Sequence, residues 1–268
     1  MSVSTAELVE GIKHLDLSGR PVCVHCSLRS FGHVDGGANA MVKAFTDEGA
    51  TLLVPSFSWA FSAIPPDDDR PERNGTRYEF PDRPVAGEPY TTQSAVVDAD
   101  MGALSAAVVA HPRRERGFHA LCSFAAVGPL ASDLLSLQAP NAVWAPLESL
   151  VRHNGAVVLM GVDLTRLTLV HLAEVHAGRR PFVRWALDRA RTVVPVDVGG
   201  CSDGFGNLAP VLAKAVVTHI GESRWTMLPA RDSLGRVKRM IEEFPRITQC
   251  DDPECDRCRD AIAGGPMA

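Results

Sequence analysis

The stretch AVVLMGVDLTRLTLVHLAEVHAG, residues 156–178, changes its period halfway along. Ala156 to Met160 is an unbroken apolar run, the pattern of a strand buried on both faces. Gly161 interrupts it, and after Thr168 the apolar residues recur at helical spacing as far as Gly178. Thr168 is placed to cap this helix and Gly178 to end it. The order is therefore strand, loop, helix, with His171 and Glu174 three apart near the helix start.

The same alternation extends in both directions. RPVCVHCSL (20–28) sets Val22, Val24, Cys26 and Leu28 against Cys23, His25 and Ser27, the period of a strand. SFGHVDGGANAMVKAF (30–45) turns through Gly32, Gly36 and Gly37 into a helix, and GATLLVPSFSW (49–59) is a second β-rich run ending at Pro55. Further on come a helix in MGALSAAVVAH, a strand in CSFAAVG, and a helix in APLESLVRHNG that ends at Gly155. RTVVPVDVGG reads as a strand and SLGRVKRMIEEF as a late helix. The N-terminal MSVSTAELVEGIKHLD reads as an amphipathic helix, with Ser4 or Thr5 as cap and Glu7 in the first turn. Strands alternating with helices predict an α/β fold. The expectation is a single domain over residues 1–268, with a central mixed, largely parallel sheet flanked by helices. No linker marks the one candidate boundary, near residue 180. A polar insertion at about 62–95 is long enough to be a functional lid or a disordered segment. A Cys-containing C-terminal extension occupies about 248–268.

Composition bounds the function. The chain has 268 residues, 46% hydrophobic and 22% charged, as in an ordinary globular protein with a sizeable core. Its net charge of −5 argues against a nucleic-acid surface and suits a cationic small molecule. No apolar run is long enough to cross a bilayer. No basic stretch followed by an apolar one opens the chain, so no signal peptide and a cytoplasmic location are expected. Only four of the 27 basic residues are Lys, a bias that suggests GC-rich bacterial coding. Seven cysteines, an odd number and mostly scattered, do not make a secreted disulfide framework.

The His171 and Glu174 pair admits three readings: a metal site, a catalytic pair, or a satisfied polar spot in a core. The metal reading fails on spacing. His176 follows His171 by five residues, about 140° around a helix, whereas zinc motifs keep their histidines four apart. Near a helix N-terminus an imidazole is disfavoured as a cation and is suited to accept a proton, with Glu174 one turn on to orient it. Active sites of α/β sheets collect beyond the carboxyl ends of strands, which is where this pair lies. Catalytic and structural readings remain open on these grounds alone.

Five strings then occur in order: VHCSLRSFGHVDGGANAMVKAF, TLLVPSFSW, MGALSAAVVAHP, SFAAVGP and LMGVDLTRLTLVHLAE. Together they resemble the aminoglycoside 3-N-acetyltransferase family of acetyl-CoA dependent antibiotic acetyltransferases, from about residue 20 to 180, with weaker similarity through GGCSDGFGNL. The resemblance implies a family-specific α/β fold and direct acetyl transfer from acetyl-CoA to an amine of an aminoglycoside, without a metal. It implies that His171 is the general base and Glu174 its carboxylate. The family's H-S-S-L-R-S segment falls on His25, Cys26, Ser27, Leu28, Arg29 and Ser30, which implies a coenzyme-binding strand end, with Arg29 pairing to a phosphate. Gly36 and Gly37 would form an anion-binding helix start; read without the resemblance, the pair is a turn. Ser123 and Phe124 would line the coenzyme cleft. Three positions depart from the family: Cys26 for a second Ser, Leu167 where Asn is common, and Ala120 where Pro usually follows His119. They bear on substrate identity more than on chemistry.

For the amine, Phe57 and Trp59 are candidate pocket walls, and Asp163 and Asp203 candidate carboxylates. Asp67, Asp68, Asp69, Glu72, Glu79 and Asp82 of the insertion are weaker candidates for attracting a polycation, since loop carboxylates are mostly just solvated. In CDDPECDRC, the thiols of Cys250, Cys255 and Cys258 suggest a structural zinc whose fourth ligand comes from afar, such as Cys201 or His219. The expected partners are acetyl-CoA and a cationic amine, with a homodimer as an assembly to test, and neither nucleic acid nor membrane. Competing functions are a related acetyltransferase on a non-aminoglycoside amine of natural-product metabolism, and a non-catalytic acetyl-CoA-binding relative.

Overall fold

The computed structural model describes residues 2–78 and 88–267. In chain order its strands are β1 (Ser2–Val3), β2 (Pro21–Cys26), β3 (His33–Val34), β4 (Thr51–Pro55), β5 (Glu115–Arg116), β6 (Phe124–Val127), β7 (Ala156–Met160), β8 (Phe182–Leu187), β9 (Val193–Val198), β10 (Val216–Ile220) and β11 (Ser223–Pro229). The α-helices are α1 (Thr5–His14), α2 (Gly37–Asp47), α3 (Gly102–Ala110), α4 (Ala131–Leu135), α5 (Ala145–Arg152), α6 (Leu169–His176), α7 (Ala230–Glu243) and α8 (Asp256–Ile262). None is long and apolar enough to cross a membrane.

Seven strands form one sheet in the order β10-β11-β7-β2-β4-β6-β5. Its centre explains the unbroken apolar runs. Val22, Val24, Leu52, Val54, Val158 and Met160 point into one apolar layer, with Leu8, Ile12, Met41, Phe45 and Val108 from α1, α2 and α3. Cys23, Leu53, Val157 and Leu159, the intervening residues, point into the other, with Leu134, Leu147, Leu172 and Val237 from α4 to α7. Both faces of each central strand are covered, so alternation still operates but every position is apolar. Helix layers thus flank a mixed sheet, as expected. Ser4 caps α1, accepting from the Glu7 N–H while the Glu7 carboxylate accepts from the Ser4 N–H, a complete capping box.

The parallel part is narrower than the sequence suggested. β2 pairs in parallel with β4 and with β7, but β11–β7, β10–β11, β4–β6 and β5–β6 are antiparallel. The reason is local at one edge: only Gly221 and Glu222 separate β10 from β11, and so short a connection forces the chain back on itself. β8 and β9 form a separate antiparallel hairpin whose Phe182, Ala186, Val196 and Val198 join the second apolar layer. The insertion is tied down where it is described. Buried Asn74 exchanges hydrogen bonds with the Val183 backbone, donating over 2.8 Å and accepting over 2.9 Å. Arg73 bridges to Met267 near the C-terminus.

Candidate active site

The three parallel strands end at one edge of the sheet, and a cleft of about 800 Å³ opens there. Its walls are the chain following β2, the turn after β4 and the segment from β7 into α6, with Gly199 and Gly200 after β9. That is the carboxyl-end position expected for an α/β ligand site. The volume lies within the range that takes a small molecule.

His171 is the third residue of α6, as its spacing from Thr168 predicted, although the Thr168 side chain makes no cap hydrogen bond. Its Nδ1 stands 2.8 Å from Glu174 Oε2, and both side chains are buried. A carboxylate only accepts, so Nδ1 is the donor of this contact, and Nε2 is the ring nitrogen left to meet a ligand. Trp144 stacks on the imidazole at 5.3 Å between centroids, and Phe205 meets it edge-on at 4.9 Å. Gly199 closes over the ring: a Cβ there would lie 2.8 Å from Nε2, so only glycine fits. The ring is therefore fixed in orientation.

Glu174 is fixed in turn by residues the sequence reading passed over. Arg179 donates from Nη1 to Glu174 Oε1 over 2.6 Å and to Thr248 Oγ1 over 2.8 Å, and also bonds the Pro245 carbonyl. A buried carboxylate needs such a partner, since an unpaired charge away from water is costly. The one local hint is its place just after Gly178, whose φ of +90° turns the chain back under the helix. His176 pairs with Glu148 instead, away from His171.

On the other strand ends, His25, Cys26, Ser27, Leu28 and Arg29 all line the cleft. Burial, then the nearby Arg166 cation, pushes the His25 imidazole down to about 4. Burial pushes the Cys26 thiol up to about 12, so it is no thiolate nucleophile. Phe57 and Trp59 also line the cleft, and Trp59 is 46% exposed, free to meet a ligand.

Several expected site residues lie elsewhere. Ser30 bonds Ser27 O and Ser223 Oγ beside the cleft. Gly36 and Gly37, with φ of +78° and +60°, only turn the chain from β3 into α2 and are not cleft residues. Ser123 belongs to a buried network with Ser56 and Arg116, and Phe124 braces Phe57 and Trp144 from the core, so neither lines the cleft. They sit one layer below because β6 is buried on both faces. Asp163 accepts from the Thr165 N–H in the turn before α6, and Asp203 accepts from the Cys201 thiol over 3.4 Å; neither faces the cleft. Asp67 pairs with Arg70 on the surface, and Asp68, Asp69 and Glu72 also stand off the cleft. Glu79 and Asp82 lie outside the described residues. The sequence reading missed Arg166, Arg257 and the start of α3 from Gly102 to Ser105, all of which line the cleft. Leu167 and Ala120 are both buried, Leu167 in the apolar layer beneath α6.

A family model described as aminoglycoside 3-N-acetyltransferase matches residues 23–242. The chain is 32% identical over 172 residues to aminoglycoside N(3)-acetyltransferase IX of Micromonospora chalcea, covering 60% of this chain and 58% of that protein. It is 32% identical over 184 residues to aminoglycoside N(3)-acetyltransferase III of a Salmonella species, covering 66% and 62%. The matches thus span about three-fifths of these relatives' length. Among solved structures, the apoenzyme of aminoglycoside acetyltransferase AAC(3)-IVa superposes with a TM-score of 0.79 at 22% identity, over 97% of this chain and 98% of that one. Mutant forms of that enzyme have been solved with a gentamicin and with apramycin.

Proposed function

The chain belongs to the aminoglycoside 3-N-acetyltransferase family, and from that premise we propose that it transfers an acetyl group from acetyl-CoA to an amine of an aminoglycoside, with His171 as general base. The observation that carries this reading is the buried chain from Arg179 through Glu174 to His171, ending on an imidazole at the cleft.

A protonated amine has no lone pair with which to attack a thioester carbonyl. The ammonium form first loses one proton to solvent; His171 Nε2, left as the acceptor by the Nδ1 contact to Glu174, then takes a second proton from the neutral amine as the carbon–nitrogen bond forms. Glu174 faces the positive charge this creates, and the Trp144 ring lies flat against it. The carbon–sulfur bond then breaks, and the proton held by His171 is available to the departing sulfur, so acetyl amide and free thiol are the products.

Acetyl-CoA is a long polyanion, and Arg29, Arg166 and Arg257 supply three cations along one cleft. His25, Cys26, Ser27 and Leu28, with Gly102 to Ser105, would flank its pantetheine arm, while Phe57 and Trp59 would wall the amine. A second acceptor class is favoured by one observation: among the described residues lining the cleft, Asp100 is the sole carboxylate. A less highly charged amine would suit that surface. The test is a panel of aminoglycosides and simpler amines, following thiol release from acetyl-CoA. Turnover confined to aminoglycosides supports the first reading, turnover confined to other amines the second, and turnover with none removes both.

A further inference from the structure

The three cysteines of the C-terminal extension lack a fourth partner in the sequence around them, and the fold brings one. Cys201 follows β9 by three residues, and its sulfur meets those of Cys250, Cys255 and Cys258 with all four Sγ atoms within 4.8 Å of one another. Four sulfurs around a zinc ion at about 2.3 Å stand about 3.8 Å apart by tetrahedral geometry. Cys250 and Cys258 sulfurs are 3.5 Å apart, and the Cys250 N–H donates to Cys258 Sγ over 3.4 Å, a contact that also suits a thiolate. His219, the other candidate, sits on the edge strand β10 and is not in the group.

Burial sets these cysteines apart from the others. Cys23 and Cys122 are packed inside the second apolar layer, as small hydrophobic side chains are. Cys201 and Cys258 are equally buried, yet they stand outside both apolar layers and face sulfur instead. Spacings of four residues between Cys250 and Cys255 and two between Cys255 and Cys258 match those of structural zinc ligands closely enough to share one ion.

We propose that Cys201, Cys250, Cys255 and Cys258 bind one zinc ion, and that this ion pins the 199–205 loop and α8 in place around the cleft. Zinc(II) displaces four thiol protons on binding, with no oxidation, and the four thiolates close its coordination shell. Gly199, which abuts His171 Nε2, is two residues before Cys201; Phe205, which contacts the same ring, is four after it. On the other side, Gln249 precedes Cys250, and its carbonyl presses on Gly204 and accepts from Asn207. Arg257, between two of the ligands, reaches the cleft. The metal therefore joins both segments that enclose the base from outside α6. The consequence for turnover rests on the function proposed above; the metal site itself does not.

The test uses the full chain, purified in reducing buffer without chelator and then exposed to zinc chloride and desalted. Elemental analysis should give about one zinc per chain. Cobalt(II) in its place should give the intense visible bands of tetrahedral thiolate coordination. Cys201→Ser and Cys255→Ser should each lose the metal, and Cys23→Ser should keep it, with circular dichroism checking that each is folded. Chelation should lower the thermal midpoint and speed proteolytic cutting within 199–205. Less than half an equivalent of zinc overturns the proposal. So does full zinc retention in Cys201→Ser, or a mass two hydrogens lower with a disulfide among these four. If Cys201→Ser does not fold, the cobalt spectrum of the unaltered chain decides between four thiolates and fewer. Zinc binding without acetyl transfer would leave this site standing and remove only the proposed function; transfer without zinc would do the reverse.

Discussion

His25, at the end of β2, and His171, at the start of α6, line the same cleft and are equally enclosed, 8% and 9% exposed. Their surroundings differ. His25 stands 3.9 Å from the Cys23 sulfur, with Arg166 as the charge that bears on it. His171 has a carboxylate at 2.8 Å, itself anchored by Arg179. Burial among sulfur and a cation makes an imidazole that stays neutral down to about pH 4. Beside an anchored carboxylate, by contrast, a positive charge on the ring would have a partner 2.8 Å away. The same residue type thus stands as a neutral wall in one region and, under the proposed function, as the base in the other.

The sharpest break of this contrast is His171→Ala. If His171 is the base proposed above, its loss should lower kcat by about 100- to 10,000-fold while leaving acetyl-CoA affinity within a few-fold. His25→Asn should do the reverse, weakening acetyl-CoA binding and leaving kcat within about tenfold. Steady-state kinetics with isothermal titration separate the two, and equal kcat losses would erase the distinction.

The next effect is on stability. A histidine whose folded pKa is depressed binds its proton first in the unfolded chain. Stability is therefore complete above the ordinary value of about 6.5 and is lost as pH falls toward about 4. The span is worth about 3 kcal/mol for His25, on the order of a few hundredfold in the folding constant. Buried His119, also held at about 4, acts in the same direction, whereas Asp197, pushed up to about 6 by burial, opposes both. Urea melts of the unaltered chain and His25→Asn across this range isolate one residue: the variant should lose one proton's worth of slope. Identical slopes would mean that His25 is not held neutral.

Glu174→Gln tests the anchored partner. The amide keeps the shape and one acceptor oxygen but no negative charge, so turnover should fall about tenfold, well short of His171→Ala. The thermal midpoint should fall as well, because Arg179 is left buried without its anion. A loss as large as that of His171→Ala would make the carboxylate an equal participant.

This contrast was only half visible in the sequence. His171 and Glu174 are three residues apart on one helix, and local spacing alone puts them side by side. The central strands were legible too, because Val157, Val158 and Leu159 fill opposite apolar layers without a polar break. Arg179, Thr248 and Cys201 reach their partners across a turn or across the fold, and nothing in a linear pattern marks such a meeting. Ser123 and Gly36 show the opposite fault: both stand in motifs that suggest a ligand, yet one is spent on Ser56 and Arg116 and the other on a turn. The antiparallel flanks were hidden because β10, β6 and β11 are set by connections and edges rather than by apolar period.

The smallest effect is also the one that divides the causes acting on His25. Desolvation is the larger and the Arg166 cation the smaller. Arg166 is an exposed residue, so its field at the imidazole is open to screening by salt. Arg166→Ala should raise the His25 pKa, seen in NMR titration, but leave it well below 6.5, because burial is unchanged. Raising the ionic strength should shift the unaltered chain the same way and the variant much less. If the same arginine meets a phosphate of acetyl-CoA, the variant should also raise the KM for acetyl-CoA several-fold with kcat nearly intact. A His25 pKa restored to its ordinary value would assign the depression to charge rather than burial, and the wall would then be only as permanent as the arginine beside it.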